Sequence, residues 1–482
     1  MSALGNVSNV LAGVVALFYL LAAVCAVREL LYGRSSQGTI AWLLSLAFFP
    51  YVTVFVYLAF GWKRFDDYVK IRRPADRMKS ELPESRRLLA LRADFEDKQA
   101  AAAWPLHNAV SPLPFLSGNN AEILIDGEAT FSSMLEGIRA ATSHVLVQFY
   151  ILRNDAVGKR LADCLIEKAQ AGVTVLLLYD DIGSAGLSRS YLNRLTDAGV
   201  TVSGFNRSHP MFIALRPFRI NFRNHRKVLV VDGTAAWVGG LNVGDEYLGE
   251  TRRFGRWRDT HVRVEGPAAL ACQLSFAEDW QWATRSYPPV PWPDPEPQTD
   301  GMPVLVMPTG PADEVETCAV AFTEAIARAR KRLWIVSPYF VPGENIATAL
   351  SAAVLRGVEV RLLLPQKPDH WIVWMASSSY ARDMAAHGVR VHSYRGGFLH
   401  QKVMLVDDAL LSIGTVNCDN RSMHINFEVT LWFTDNRMIA AARRMLEEDF
   451  DQSVELNDAD FASRGPLWHL LGRIARLFAP LL

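Results

Sequence analysis

Two segments of the chain carry the same set of residues that could act on a phosphate group. The first contains His225, Lys227, Asp232, Gly239 and Asn242, and the second contains His400, Lys402, Asp407, Gly414 and Asn417. Every residue of the first set recurs 175 positions later. A single histidine two residues before a lysine is usually structural, whereas five matched positions in two copies indicate a functional site.

These residue types suit chemistry at phosphorus. Positions i and i+2 of a strand share a face, so each histidine should point the same way as its lysine. If the two segments pack together, one pocket holds two imidazoles and two ammonium groups. The lysines would stabilise charge on the phosphate oxygens, while one histidine attacks phosphorus and the other transfers protons. An ammonium group repels metal cations, and we therefore expect neither a metal nor a cofactor.

The pattern resembles the phospholipase D superfamily, whose signature is HxKxxxxD followed by a segment with Gly and Asn. The resemblance implies that His225 is the nucleophile and that His400 is the general acid and base. It also implies phosphate-binding roles for four residues, which are Lys227, Lys402, Asn242 and Asn417. Asp232 and Asp407 complete the catalytic motif. Nothing in their spacing directs them at phosphorus, so we expect them to be structural.

A carboxylate follows each motif. Asp259 lies within Trp257–His261, and Glu428 lies within Asn426–Val429. By resemblance, a later carboxylate in each half orients the histidine of the other half. We therefore expect Glu428 to pair with His225 and Asp259 to pair with His400. The alternative is that both are carboxylates on exposed strands.

The stretches around the motifs also repeat, and they predict the elements that position the site. Val145–Tyr150 is similar to Leu333–Tyr339, and Ala171–Leu178 is similar to Arg356–Leu364. Short β-branched runs alternate with helical stretches, which predicts an α/β fold. With the resemblance, we expect two phospholipase D-like halves related by a pseudo-twofold. Each half should be a mixed, mostly parallel sheet flanked by helices.

The predicted halves span residues 121–285 and 303–460. Residues 286–302 between them are rich in proline, which excludes a helix or a central strand and predicts an extended linker.

Two apolar runs predict a membrane anchor in residues 1–62. Val7–Val27 has 21 residues without a charge, and Thr39–Trp62 has 24. At about 1.5 Å per residue, each run is long enough to cross a hydrocarbon core of roughly 30 Å. Pro50 could kink the second helix. The alternatives are a pair of buried core helices and a cleaved signal peptide.

Basic residues predict the orientation of this anchor. The connection between the runs has Arg28 and Arg34, whereas seven basic residues follow the second run. They are Lys63, Arg64, Lys70, Arg72, Arg73, Arg77 and Lys79. The positive-inside rule therefore places residues 63–120, a basic juxtamembrane connector, and the domain after them in the cytoplasm. The connector could also bind anionic lipid.

Composition excludes some classes of protein. Lys+Arg and Asp+Glu are equal at 50 each, so no excess of positive charge favours a nucleic-acid partner. The 5 cysteines are scattered, which favours a reducing compartment over a disulfide framework or a zinc site.

Within the superfamily, the chain resembles the bacterial cardiolipin synthases. The stretches that carry this resemblance are Phe222–Lys227, Gly239–Gly249, Trp257–His261, Gly414–Ser422 and Asn426–Thr430. The resemblance implies a phosphatidyltransferase of the bacterial inner membrane that joins two phosphatidylglycerol molecules and releases glycerol. Its partners would be phosphatidylglycerol and anionic membrane lipid, with no nucleic acid. The alternatives are a different acceptor (phosphatidylethanolamine or water), a nuclease, and a membrane scaffold without activity.

Two further segments are candidates for contact with lipid. His209–Phe222 combines apolar residues with Arg216 and Arg219, and residues 461–482 predict an amphipathic helix at the membrane interface. A buried loop and a helix packed on the protein's own core are the alternatives.

Overall fold

The computed structural model describes residues 2–33, 36–61, 90–205, 221–249, 255–313 and 315–481. The chain divides into two compact units. An N-terminal unit comprises Met1–Asp66 with Asn206–Phe222, and a large unit comprises Asp67–Phe205 with Arg223–Leu482. The seven basic residues of the predicted connector, and Arg216 and Arg219, lie outside the described residues.

Residues 2–33 and 36–60 of the N-terminal unit are mainly helical. Its helices are α1 (Ser2–Tyr32), α2 (Ser36–Phe48) and α3 (Pro50–Phe60). They pack around a small core that includes Cys25, Leu46 and Tyr57. Among the described residues, one helix, Asn9–Tyr32, is long and apolar enough to cross a membrane.

The second apolar run differs from the single helix expected for Thr39–Trp62. It is divided between α2 and α3 at Phe49, whose φ of −133° and ψ of 50° are not helical. Proline has no N–H to donate, so Pro50 ends the ladder of α2 and is favourable in the first turn of α3. The Thr53 hydroxyl donates to the Ser45 carbonyl across the break, at 3.0 Å.

The large unit contains a continuous sheet to which both halves contribute. The first half supplies β1 (Leu116–Ile125), β2 (His144–Phe149), β3 (Thr174–Tyr179), β4 (Thr201–Gly204), β5 (Val228–Val231), β6 (Ala235–Gly239), β7 (Trp257–Arg258) and β8 (Thr260–Glu265). The second half supplies β9 (Met302–Thr309), β10 (Arg332–Val336), β11 (Phe340–Val341), β12 (Glu359–Pro365), β13 (Arg390–Tyr394), β14 (Phe398–Leu399), β15 (Val403–Val406), β16 (Leu410–Gly414), β17 (Cys418–Asp419), β18 (Glu428–Phe433) and β19 (Ser453–Leu456).

Strand order is the same in both halves. From the centre outwards, the first half reads β1-β8-β6-β5-β2-β3-β4, and the second reads β9-β18-β16-β15-β10-β12-β13, with β19 added at the edge. The halves meet where β1 pairs with β9 in antiparallel fashion. Two short pairs, β7 with β14 and β11 with β17, lie outside the long sheet.

Helices cover the sheet on either side of this junction. The first half has α6 (Asp126–Ala140), α7 (Ala156–Gln170), α8 (Arg189–Asp197) and α9 (Pro267–Thr284), preceded by α4 (Lys98–Ala103) and α5 (Pro105–Val110). The second has α10 (Thr317–Arg328), α11 (Glu344–Leu355), α12 (Trp371–Ala386), α13 (Asn420–His424), α14 (Asn436–Asp451), α15 (Asp458–Ala462) and α16 (Pro466–Arg476). Each half has its own apolar core, one around Ile138 and Leu177 and the other around Leu333 and Trp432.

The expectation of a mostly parallel sheet is wrong. The pairs within β2-β3-β4 and within β10-β12-β13 are parallel, and the remaining pairs of the long sheet are antiparallel. The reason is local, because β5 turns directly into β6 through Asp232 and Gly233, whose φ angles are 53° and 70°. An Asp-Gly pair with positive φ at both residues makes a tight hairpin, which forces antiparallel pairing.

Both halves begin earlier in the structure than the predicted residues 121 and 303, the first by five residues and the second by one. β1 begins at Leu116, so the first half starts inside the segment expected to be a connector. Ser111, also in that segment, donates to the Val306 carbonyl of β9 at 3.2 Å, which ties it to the second half. The proline-rich linker ends where β9 begins at Met302.

Candidate active site

The segment that carries each motif histidine forms a backbone hydrogen bond to the other half. His225 lies in an extended segment just before β5, and its N–H donates to the Phe427 carbonyl at 2.9 Å. His400 lies just before β15, and its N–H donates to the Arg258 carbonyl at 2.8 Å. Each motif is therefore fixed next to the carboxylate-bearing segment of the other half.

Each histidine contacts the carboxylate of the opposite half. Nδ1 of His225 lies 2.9 Å from Oε2 and 3.0 Å from Oε1 of Glu428. Nδ1 of His400 lies 2.7 Å from Oδ2 of Asp259. Both carboxylates have no exposed surface. A buried carboxylate that accepts the Nδ1–H fixes the tautomer and leaves Nε2 with its lone pair available for reaction.

Burial keeps both imidazoles neutral near pH 7. It lowers the pKa of His225 to about 4, because Glu428 only partly offsets the cost of charging a buried ring and Lys227 adds to it. Burial and the charges of Lys402 and Lys227 hold the pKa of His400 well below its usual range. A neutral imidazole is the form that can act as a nucleophile.

The two lysines are buried and near enough for the charge of Lys402 to act on Lys227. Lys227 is fully buried, and its Nζ donates to the His225 carbonyl at 2.7 Å. Nζ of Lys402 donates to the His400 carbonyl and lies 3.0 Å from Nδ1 of that residue. Burial lowers the pKa of Lys227 to about 7 and that of Lys402 to about 8, and Glu428 and Asp259 respectively oppose the shift most strongly. An incoming phosphate anion would restore their usual affinity for protons.

The two asparagines are used differently. Oδ1 of Asn242 accepts the Ile151 N–H at 3.0 Å, and its amide donates to the Tyr247 hydroxyl at 3.0 Å. Oδ1 of Asn417 is buried and has no hydrogen-bond partner within the described part of the chain. Since the O and N of an amide can be interchanged, Asn417 offers an uncommitted buried amide to a ligand.

The structure does not bring Asp232 and Asp407 into the pocket. Asp232 follows β5, at the end opposite Lys227, and accepts the N–H groups of Thr142, Ser143 and His144 at 2.8 Å each. Asp407 occupies the same place after β15 and accepts the backbone N–H groups of residues 330–332. Both aspartates therefore bind the start of the neighbouring strand, β2 or β10.

The sequence analysis did not identify the residues that pack behind the histidines and lysines. Arg226 is fully buried, pairs with Asp279 of α9 at 2.9 Å and donates to the Glu428 carbonyl at 3.0 Å. In the other half, Gln401 donates to Asp449 of α14 at 2.7 Å. Arg226 and Gln401 are the residues between the histidine and the lysine of each motif. Asp279 and Asp449 are 170 residues apart, whereas the motif residues are 175 apart, so the repeat did not align them.

The Glu428 carboxylate is held on both sides. The Thr415 hydroxyl donates to Oε2 at 2.5 Å, and the Asn426 amide donates to Oε1 at 3.2 Å. Burial alone would raise the pKa of Glu428, but His225 and Lys227 outweigh it and the pKa lies below its usual range. Glu428 is therefore ionised and rigidly placed.

Within the described residues, no group of three or more His, Cys, Asp or Glu could hold a metal ion.

The fold and the site together define a phospholipase D-like phosphoryl-transfer enzyme. A family model described as the cardiolipin synthase, phospholipase D-like domain matches residues 134–275 and 322–452, and one described as the phospholipase D-nuclease N-terminal matches residues 17–62. The crystal structure of phosphatidylserine synthase from Haemophilus influenzae has a similar fold, with a TM-score of 0.57 and 14% identity, covering 80% of this chain and 100% of that one.

Similar proteins of known name show which family within the phospholipase D-like enzymes the chain belongs to. Cardiolipin synthase A of Pseudomonas entomophila is 45% identical over 97% of this chain and 98% of its own length. Cardiolipin synthase A of Pseudomonas aeruginosa strain LESB58 is 46% identical over 95% of this chain and 94% of its own length. The chain belongs to the cardiolipin synthase family and is a phospholipid phosphatidyltransferase.

Proposed function

We propose that the enzyme transfers a phosphatidyl group from one phosphatidylglycerol to another through a phosphatidyl-histidine on His225. The observation that carries this proposal is the pair of crossed contacts, Glu428 with His225 and Asp259 with His400. Each half supplies the carboxylate that orients the other half's imidazole, so both histidines would face one phosphate.

In the first step, Nε2 of His225 attacks phosphorus and a P–N bond forms. The P–O bond to the glycerol headgroup breaks, and His400 donates the proton that glycerol carries away. His400 is neutral in the free site, and the bound phosphate anion favours its protonation. Lys227, Lys402 and Asn417 hold the non-bridging oxygens, where negative charge grows in the transition state.

In the second step, a headgroup hydroxyl of another phosphatidylglycerol resolves the intermediate. His400 takes the proton of this hydroxyl, the new P–O bond forms, and the P–N bond to His225 breaks. Water would give phosphatidic acid instead. His225 is 8% exposed and His400 is 7% exposed, which limits the access of water to the intermediate.

The membrane arrangement is part of the proposal. α1 forms one span, and α2 with α3 forms a second, kinked span, with the large unit in the cytoplasm at the inner membrane. The 24-residue run from Thr39 to Trp62 supports a span that the proline interrupts without introducing a charge. We also propose a pseudo-twofold between the halves, supported by the identical strand order on either side of the β1–β9 junction.

The test is an assay with the full-length protein in phosphatidylglycerol vesicles containing EDTA, with lipids and glycerol followed by mass spectrometry. Cardiolipin and glycerol should appear together, and both should be lost in His225→Ala and His400→Ala. Asp408→Asn is a matched control, because Asp408 is an exposed partner of Arg332. Phosphatidic acid as the main product would make the enzyme a lipase, and absence of lipid turnover would contradict the proposal.

A further inference from the structure

A groove with a volume of about 620 Å³ lies at the end of β15 that is remote from the reacting groups. Val406, the last residue of β15, and Asp407 line one side of it. Lys402 precedes the same strand, and five extended residues span roughly 16 Å. The groove is therefore separate from the candidate active site.

Three arginines of the second half line this groove. Arg328 is the last residue of α10, Arg330 lies between α10 and β10, and Arg356 follows α11. All three residues are exposed to solvent. The ends of two helices therefore bring three positive charges to one concave surface.

The protein holds two of the three guanidinium groups in place. Nη1 of Arg328 donates to the Ala103 carbonyl at 2.5 Å, and its guanidinium carbon lies 4.3 Å from the centroid of a Trp104 ring. Nη2 of Arg356 donates to two carbonyls at the end of α10, at 3.3 Å and 3.4 Å. Each hydrogen bond uses one nitrogen only, so the remaining N–H donors of both side chains can bind a ligand.

Ion pairs do not balance the positive charge of the groove. None of the three arginines pairs with a carboxylate in the part of the chain that the structure describes. Asp407 also lines the groove, but three backbone N–H groups donate to its carboxylate. The next residue, Asp408, pairs with Arg332 and Arg443. The lining thus carries three positive charges against one negative charge, which favours an anion.

The equivalent positions in the first half carry no arginine. Thr142 takes the place of Arg330, because the backbone N–H of each donates to the motif aspartate of its half. The other two positions follow from the sequence around them, and they hold Ala140 and Ala171. The first half forms the same turns without these arginines, which indicates that they serve a ligand rather than the fold.

We propose that the groove binds a soluble anion that carries two or more phosphate groups and has about the size of a nucleotide. The planar guanidinium fork matches phosphate oxygens, and three forks on one surface suit more than one phosphate. The volume of the groove lies within the range of sites for small molecules.

The position of the groove favours a soluble ligand over a lipid headgroup. In the function proposed above, the histidines at the other end of β15 act on lipid and must face the bilayer. The groove, at the opposite end of that strand, then faces the aqueous phase. The choice of a soluble ligand rests on the proposed function, whereas the presence of an anion site does not.

The test is isothermal titration calorimetry of the full-length protein in non-ionic detergent, with inorganic pyrophosphate as the probe and EDTA present. Arg328→Gln and Arg330→Gln each remove a charge from the groove, and Lys402→Gln removes one from the active site. Arg194→Gln is the matched control, because Arg194 is an exposed arginine of the first half that pairs with Asp163. Thermal unfolding without pyrophosphate checks that each variant is folded.

The dissociation constant of pyrophosphate at the groove should rise about tenfold or more in Arg328→Gln and Arg330→Gln, since each loses a charge-assisted contact. It should stay within about twofold in Lys402→Gln and Arg194→Gln. Absence of binding to the unmodified protein, equal affinity in all variants, or a loss confined to Lys402→Gln would each overturn the site. Because the titration measures binding, its result does not depend on whether the protein forms cardiolipin.

A second titration distinguishes a soluble ligand from a lipid headgroup. The full-length protein is placed in nanodiscs of phosphatidylcholine, with or without phosphatidylserine. Pyrophosphate should bind with the same affinity in both, because the groove faces the aqueous phase. Loss of this binding when phosphatidylserine is present would mean that the groove takes an anionic headgroup, and would overturn the assignment of a soluble ligand.

Discussion

At the residue scale, four buried charges surround two neutral imidazoles. Lys227 and Lys402 are positive, Glu428 is negative, and burial raises the pKa of Asp259 while Lys402 opposes that shift most strongly. Two ammonium groups and two carboxyl groups thus lie close to the histidines, and a phosphodiester that binds there adds one negative charge. Such a site favours the lysines in their protonated form, and then a proton on His400, once substrate is bound.

The lowered pKa values of the lysines predict an alkaline limit to activity. With a pKa of about 7 for Lys227 and about 8 for Lys402, the free site loses its positive charge as pH rises through this range. We therefore expect kcat/KM to decline above about pH 7, where Lys227 begins to lose its proton, and kcat to decline at higher pH because bound phosphate raises both pKa values.

A Lys227→Arg variant tests this assignment, because Lys227 has the lower pKa of the two lysines and arginine does not titrate in the accessible range. Its kcat/KM should be lower, but the alkaline decline should move to higher pH. Lys159→Arg, on the exposed face of α7, is the control and should leave the profile unchanged. An alkaline limb that stays in place in Lys227→Arg would mean that another group controls it.

At the scale of elements, the residues of each motif lie at opposite ends of one strand, with the reacting groups at one end and a structural aspartate at the other. The histidine and lysine precede β5 or β15, and the aspartate follows it. The sequence predicted which residues repeat, because they stand at a constant offset. It did not predict the strand directions, because Asp232 was interpreted only as a motif residue and not as the first residue of an Asp-Gly hairpin turn. Nor did it predict Arg226–Asp279, because the equivalent position, Gln401, differs in chemistry.

Replacing a motif aspartate should reduce stability more than chemistry. Asp407→Ala leaves three backbone N–H groups at the start of β10 without their acceptor, which should cost about 2 kcal/mol of unfolding free energy. Thermal unfolding in detergent should shift to lower temperature, while activity per folded molecule stays within about threefold. The same test applies to Asp232→Ala. A complete loss of activity in a variant with unchanged stability would give these aspartates a chemical role.

At the scale of the whole molecule, the large unit carries an apolar surface that the described residues leave exposed. α16 packs on α12 through Gly472 and Ala475, and Arg476 pairs with Asp383. Its other face exposes Leu467, Leu470 and Ile474, which share one side of the helix. One face of the helix therefore packs on the protein, and the other is apolar and exposed, so the helix is amphipathic and its contact with the membrane interface stays a prediction.

We expect this exposed face of α16 to bind the lipid surface. A variant with Leu467, Leu470 and Ile474 changed to Ser should need about tenfold more vesicle lipid to reach half-maximal rate, with little change in the maximal rate. The control is Leu355→Ser, because Leu355 is 87% exposed on α11 and stands apart from this face. An unchanged dependence on vesicle concentration would contradict a membrane-binding role for the helix.

The central claim is that His225 carries the phosphatidyl group between the two lipids. The most direct measurement is quenching of the enzyme with detergent at alkaline pH during turnover of phosphatidylglycerol, because a P–N bond hydrolyses in acid, followed by mass spectrometry of its peptides under the same alkaline conditions. The account predicts a phosphatidyl adduct on the peptide containing His225 in the unmodified enzyme, and little or no adduct in His400→Ala, which lacks the acid that releases glycerol. An adduct on His400 would reverse the two roles, and cardiolipin formation without any adduct on either histidine would contradict the account.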